Sequence, residues 1–193
     1  MKNVLPDEVA TEISPLLSKL FSWVDKGIAA YLKAHQSTSL IFEKRTKFGM
    51  IRDYIVDEIK RDTYGDPHIK TVMKGNLILF IINQRVAFKI KKLNDRFLSS
   101  SHKSKQLSMF HSGQLELPGC EGPICLELGY IPDALISGHK GIFVTSRKEK
   151  WYWEIQDQAN VIKLPPLPNK EKKKRVKTKE SNIIQLRGGQ NQS

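Results

Sequence analysis

Apolar positions in the first third of the chain recur at helical spacing. After Ser14-Pro15, which is typical of a helix start, one apolar face follows at a period of 3.6 residues. It comprises Leu16, Leu17, Leu20, Phe21, Val24, Ile28, Tyr31 and Leu32. A second stripe, containing Phe48, Ile51, Ile55 and Ile59, predicts another helix over about 44–62. Two amphipathic helices are therefore predicted, and a short helix over 7–13 could precede the first of them.

Beyond Pro67 the apolar pattern changes to a period of two, which is typical of strands. Segments 69–73, 77–82 and 85–93, separated by short turns, predict an antiparallel meander. Segments 124–130, 141–146 and 151–156 predict further strands. The fold class is therefore α+β: two N-terminal helices packed on one face of an antiparallel five- to six-stranded sheet. We expect residues 1–162 to form a single domain.

The C-terminal residues differ in composition from everything before them. Residues 163–193 contain nine Lys or Arg and two Asp or Glu, a net charge of +7 out of +12 for the whole chain. They begin with a proline-rich linker and are predicted to be disordered. Such a tail is typical of proteins that bind polyanions or an acidic partner protein. The alternative is that the lysine-rich end only increases solubility. Ile183, Ile184 and Leu186, beyond the charges, are typical of a short docking segment.

Basic residues also line one side of the predicted strand 85–93. Charged side chains two residues apart on a strand are about 7 Å apart, which is close to phosphate spacing in nucleic acid. The alternative is a solvated face, or an edge strand protected by lysine. The candidate nucleic-acid-binding residues are Arg85, Lys89, Lys91, Lys92, Arg96, Lys103 and Lys105, with Lys172, Lys173, Lys174 and Arg175 in the tail.

No motif identifies a catalytic site or a cofactor. The chain has no nucleotide-binding glycine loop, no GxSxG and no HExxH, and we expect no cofactor. His102 and His111 lie among lysines in a polar loop and are candidates for acid–base cleavage of RNA, or are ordinary surface histidines.

The two cysteines and the lengths of the apolar runs bear on metal binding, cellular compartment and membrane association. Cys120 and Cys125 have C-x4-C spacing, but no paired histidines complete a zinc site, so we expect two reduced thiols and no metal. Reduced thiols fit the cytoplasm. The longest apolar run, 77–82, is far shorter than the roughly 20 residues that span a bilayer, and no secretory signal is evident, so no membrane partner is expected.

Four short blocks carry a family resemblance: Lys44-Arg45-Thr46, 88–93, Leu128-Gly129-Tyr130 and 141–144. Their order over 42–156 resembles small bacterial cytoplasmic proteins encoded beside a helix-turn-helix regulator in toxin–antitoxin-type or phage-defence operons. The resemblance implies a toxin-like effector that acts on nucleic acid or translation and is controlled by a cognate antitoxin or regulator. The alternative is a non-enzymatic protein that binds RNA or DNA, or an adaptor, using its basic tail.

Overall fold

The structure is a computed structural model that describes residues 1–37, 41–100 and 104–156. Its helices are α1 (Asp7–Ile13), α2 (Leu17–Ala34), α3 (Lys44–Asp62) and α4 (Lys105–Ser112), and a 3-10 turn (Ser14–Leu16) joins α1 to α2. Its strands are β1 (Lys2–Asn3), β2 (Ile69–Lys74), β3 (Leu77–Ile82), β4 (Val86–Lys92), β5 (Ile124–Pro132), β6 (His139–Ser146) and β7 (Trp151–Ile155).

The α+β class is confirmed, but the predicted antiparallel sheet of five to six strands is wrong. The sheet has seven strands in the order β1-β7-β6-β5-β4-β3-β2 and is mixed, since β1 pairs parallel to β7 and β4 parallel to β5. The segment between Lys92 and Ile124 is long enough for the crossover that a parallel pair requires. The strand β1 has only two residues, too few for a period-two pattern.

The main core lies between α2, α3 and one face of the sheet. Leu20, Val24 and Ile28 of α2 are buried against Ile51 and Ile55 of α3, and strand residues complete this core. The two helices touch closely at Gly27, where an added Cβ would lie 2.6 Å from the Cα of Ile55. The predicted packing of two N-terminal helices on the sheet is therefore present.

A further helix, α4, lies on the opposite face of the sheet, in addition to the two N-terminal helices that were predicted. In α4, Leu107 and Phe110 are buried, and Phe110 forms a second core with Leu79, Ile81 and Ala87. The Ser104 hydroxyl accepts a hydrogen bond from the Leu107 amide and caps the start of α4. The sheet is therefore a middle layer between two sets of helices.

The predicted domain division and the basic tail cannot be followed in the structure, because residues 157–193 lie outside the described ranges. Both stay predictions. Within the described ranges, each helix is too short or too polar to cross a bilayer.

Candidate nucleic-acid interface

Strands β3 and β4 pair over only part of their length. Their register runs from Ile82↔Val86 to Phe80↔Phe88, although β3 starts at Leu77 and β4 continues to Lys92. A space of about 80 Å³, here called the small cavity, opens where the pairing stops. Its lining residues are Arg52, Val56, Asn76, Leu77, Ile78, Lys89, Ile90 and Lys91. A gap in the sheet therefore brings cations of α3 and β4 together.

A larger depression adjoins the small cavity at the start of α3. This basic cleft has a volume of about 620 Å³. It is lined by Lys44, Arg45, Phe48, Gly49, Arg52, Ile90, Lys91, Lys92 and Ser100. Five of these nine residues are Lys or Arg and none is Asp or Glu, so the described lining has a single sign of charge. Such a concave surface attracts anions.

The first turn of α3 adds to the positive potential of the basic cleft. Lys44, Arg45 and Lys47 lie in this turn, which contains no acidic residue, and the preceding Glu43 makes no side-chain cap. Helix N-termini favour negative charge, because the helix dipole is positive there. The position of these cations is therefore unfavourable for the free protein, and an anion bound in the cleft would offset this repulsion.

The cations of the basic cleft are held close to apolar groups and to one another. The Lys92 amine lies 3.9 Å from the centre of the Phe48 ring. Burial, followed by the nearby charge of Lys44, lowers the pKa of Lys92. Burial also lowers the pKa of Lys91; the charge of Glu127 opposes this shift, and the charge of Arg52 adds to it. Arg52 itself pairs with Asp53 on the exposed side of α3, at 2.6 Å. A phosphate in the cleft would relieve repulsion among these groups.

A buried polar cluster, here called the Glu127 cluster, lies beneath α4 on the other face of the sheet. The Glu127 carboxylate accepts a hydrogen bond from the Ser99 hydroxyl at 2.8 Å and lies 3.0 Å from His111 Nε2. The Lys89 amine is 3.3 Å from Glu127, an ion pair rather than a well-directed hydrogen bond. Arg147 Nε is 3.8 Å from the second carboxylate oxygen. Arg147 also donates to the backbone carbonyl and the hydroxyl of Ser99.

The surroundings of Glu127 keep its carboxylate charged. Burial alone would raise its pKa, but the hydrogen bond with His111, the charge of Lys89 and the Ser99 hydroxyl together lower it to about 2. Burial lowers the pKa of Lys89 to about 8, although Glu127 opposes this shift. The Glu127 cluster therefore joins β4, β5, α4 and the segment that leads to Ser100.

Acid should remove the stability that Glu127 provides. Its pKa is lower in the folded protein than the ordinary value of 4.5, so the unfolded chain takes up a proton first as pH falls. The stabilisation is complete above pH 4.5 and is lost as pH falls through about 2. It amounts to about 3 kcal/mol. We expect Glu127→Gln to flatten the acid limb of urea-unfolding free energy against pH. An unchanged acid limb would contradict the assignment.

The structure places the predicted basic residues in several different environments. Lys91 and Lys92 line the basic cleft, while Lys89 is 4% exposed and pairs with Glu127. Arg85 donates to Glu12 at 2.8 Å. Exposed positions outside the cleft hold Arg96 and Lys105. The remaining candidates, Lys103, Lys172, Lys173, Lys174 and Arg175, lie outside the described residues, and the binding role of the whole set stays a prediction.

Sequence reasoning missed Lys44, Arg45 and Arg52 as cleft residues and Glu127 as the centre of a buried cluster. Lys44 and Arg45 could have been found from the first turn of α3, which contains basic residues and no acidic residue. Nothing local indicated Arg52 or Glu127, because their neighbours come from distant segments: Lys89 is 38 positions before Glu127.

Of the two candidate catalytic histidines, the structure describes only His111. His111 contacts Glu127, and His102 lies outside the described residues, so their catalytic role stays a prediction. Both cysteines are free thiols, and burial raises the pKa of Cys125 to about 11. Across residues 1–37, 41–100 and 104–156, no group of three His, Cys, Asp or Glu side chains is arranged to hold a metal ion.

We found no significant match to a protein-family model, to a curated protein or to a solved structure. The expected resemblance to toxin–antitoxin or phage-defence proteins therefore stays a prediction.

Proposed function

We propose that this protein binds nucleic acid through the phosphate backbone, using the basic cleft, and that binding rather than catalysis is its activity. The observation that carries the proposal is a cleft of about 620 Å³ whose described lining has five cations and no carboxylate. Lys91 and Lys92 come from β4, and Lys44, Arg45 and Arg52 come from α3.

The chemistry of the cleft favours phosphate contacts over base recognition. Phe48 is the single aromatic residue among the described residues that line it, and the Lys92 amine already occupies one face of that ring. Stacking platforms for single-stranded bases use free aromatic faces. Lysine and arginine contacts to phosphates position a strand without specifying sequence. We therefore expect affinity for nucleic acid with little sequence preference.

The salt dependence of binding tests this proposal. Each phosphate contact to a single strand contributes about −0.7 to the slope of log affinity against log salt. The double variant Lys44→Gln/Arg45→Gln should therefore weaken the slope by about 1.4 relative to the wild type. The measurement is fluorescence anisotropy of a labelled oligonucleotide titrated with the full chain over a series of salt concentrations.

A matched control separates the cleft from net charge. The double variant Lys60→Gln/Lys70→Gln also removes two positive charges, but from exposed positions that do not line the basic cleft. We expect this control to keep the wild-type slope. Equal losses in both double variants would show that any cation contributes, and the proposal would then fail.

Three further elements belong to this proposal. The basic tail, with Lys172, Lys173, Lys174 and Arg175, would make further contacts with the phosphates of nucleic acid. A partner protein such as a cognate antitoxin or helix-turn-helix regulator would control access to it. A reducing compartment such as the cytoplasm suits the free thiols of Cys120 and Cys125.

A further inference from the structure

The small cavity and the basic cleft form one continuous basic surface with a narrow end. They share Arg52, Ile90 and Lys91 as lining residues. The cleft has a volume of about 620 Å³ and the small cavity about 80 Å³. The narrow end lies between β3 and β4, beyond the last paired residues, Phe80 and Phe88.

The walls of the small cavity combine positive charge with a confined shape. Arg52 and Lys91 supply the charge and Asn76 supplies an amide, while the Lys89 amine pairs with Glu127 and Arg52 also pairs with Asp53. None of the described lining residues is acidic. Leu77 and Ile78 form an apolar wall. At the neighbouring turn, a Cβ on Gly75 would lie 2.5 Å from the Gln106 amide, so α4 packs directly on the turn that carries Asn76.

The size of the small cavity discriminates between two kinds of phosphate. Its volume of about 80 Å³ is several times the space one water molecule requires and suits a group of a few oxygen atoms. An internal phosphodiester continues as a chain on both sides and does not fit a narrow end. A terminal phosphate has a chain on one side only, and its charge near pH 7 is about −1.5 to −2.

We propose that the small cavity binds the terminal phosphate of a nucleic-acid strand whose internal phosphates lie along the basic cleft. This inference rests on the proposed function and assigns that function a preference for phosphorylated strand ends. Lys91 contacts both parts of the strand, because it lines both spaces. Lys89 borders the small cavity and remains paired with Glu127.

The test compares three versions of one labelled oligonucleotide, with a 5′-phosphate, with a 3′-phosphate and without a terminal phosphate, by anisotropy on the full chain. Charge-assisted hydrogen bonds predict that one phosphorylated form binds at least about tenfold tighter than the unphosphorylated form. Inorganic phosphate should abolish this difference only at concentrations far above that of the oligonucleotide, because it lacks the internal contacts.

Two variants locate the effect. Lys91→Gln removes charge, and Ile78→Phe fills the small cavity from a position that does not line the basic cleft. In both, the affinity ratio of phosphorylated to unphosphorylated strand should fall to about one. The exposed Lys60→Gln should keep the wild-type ratio. Thermal melting verifies that each variant is folded.

The outcomes separate this inference from the proposed function. If all three oligonucleotides bind the wild type equally, the inference is overturned and the proposed function stands. If none binds, the proposed function fails. If the preference survives in folded Lys91→Gln and Ile78→Phe, the small cavity is not the site.

Discussion

Replacing Glu127 with alanine should destabilise this protein by about 3–5 kcal/mol, as expected when one partner of a buried ion pair is removed. The substitution leaves the Lys89 amine without its counter-charge in a site where its side chain is 5% exposed. It also removes the acceptor of the Ser99 hydrogen bond. Urea unfolding at neutral pH measures the loss, and thermal melting should show a decrease in Tm of about 6–20 °C.

Two comparisons make the Glu127 prediction specific. Glu116→Ala removes an exposed carboxylate and should change the free energy of unfolding by less than about 0.5 kcal/mol. Lys89→Met/Glu127→Leu replaces both charges by apolar groups of similar size and should recover about half of the loss or more. A double variant less stable than Glu127→Ala would show that the cost arises from packing and not from the unpaired charge.

Replacing Gly27 with alanine should destabilise the protein by about 2 kcal/mol. The new Cβ would lie 2.6 Å from the Cα and 2.8 Å from the backbone nitrogen of Ile55, so α2 and α3 have to move apart. Overpacking of this kind costs about 3 kcal/mol. The higher helix propensity of alanine returns about 1 kcal/mol. Urea unfolding measures the difference.

Gly49 provides a control for Gly27, because the same substitution there should have the opposite effect on stability. Gly49 also lies within a helix, but no heavy atom beyond its own helical neighbours lies within 4 Å of an added Cβ. Gly49→Ala should therefore stabilise the protein by about 0.5–1 kcal/mol, through helix propensity alone. Stabilisation by Gly27→Ala as well would mean that α2 and α3 adjust without cost.

The elements that repeat a pattern over many residues were predictable from the sequence. The helices α2 and α3 present long apolar stripes, and their observed bounds, Leu17–Ala34 and Lys44–Asp62, lie close to those predicted. The period of two in segment 85–93 is observed as well: Phe88 lies in the main core, and Lys89 lies on the opposite face of the sheet beside Glu127. These patterns depend on local spacing, which the sequence displays directly.

Other features depend on contacts between distant segments and were not predictable. The parallel pairing of β4 with β5 brings Lys89 beside Glu127, and no local pattern encodes that register. The helix α4 covers a face of β4 that was predicted either to bind phosphate or to be solvated. Glycine is unfavourable within a helix, yet the structure shows that the missing side chain of Gly27 permits the close contact of α2 with Ile55.

The position of Ser99 has a consequence for genetic selections. Glu127 and Arg147 hold Ser99, and the next residue, Ser100, lines the basic cleft. A selection for variants that lose the proposed binding activity would therefore recover substitutions at Glu127 and Arg147, which do not line the cleft, alongside those at Lys44 or Lys92. Measuring the abundance of each variant protein in the cell distinguishes the two groups. Substitutions at Glu127 and Arg147 would lower the amount of folded protein, whereas those at Lys44 and Lys92 would lower affinity at normal abundance.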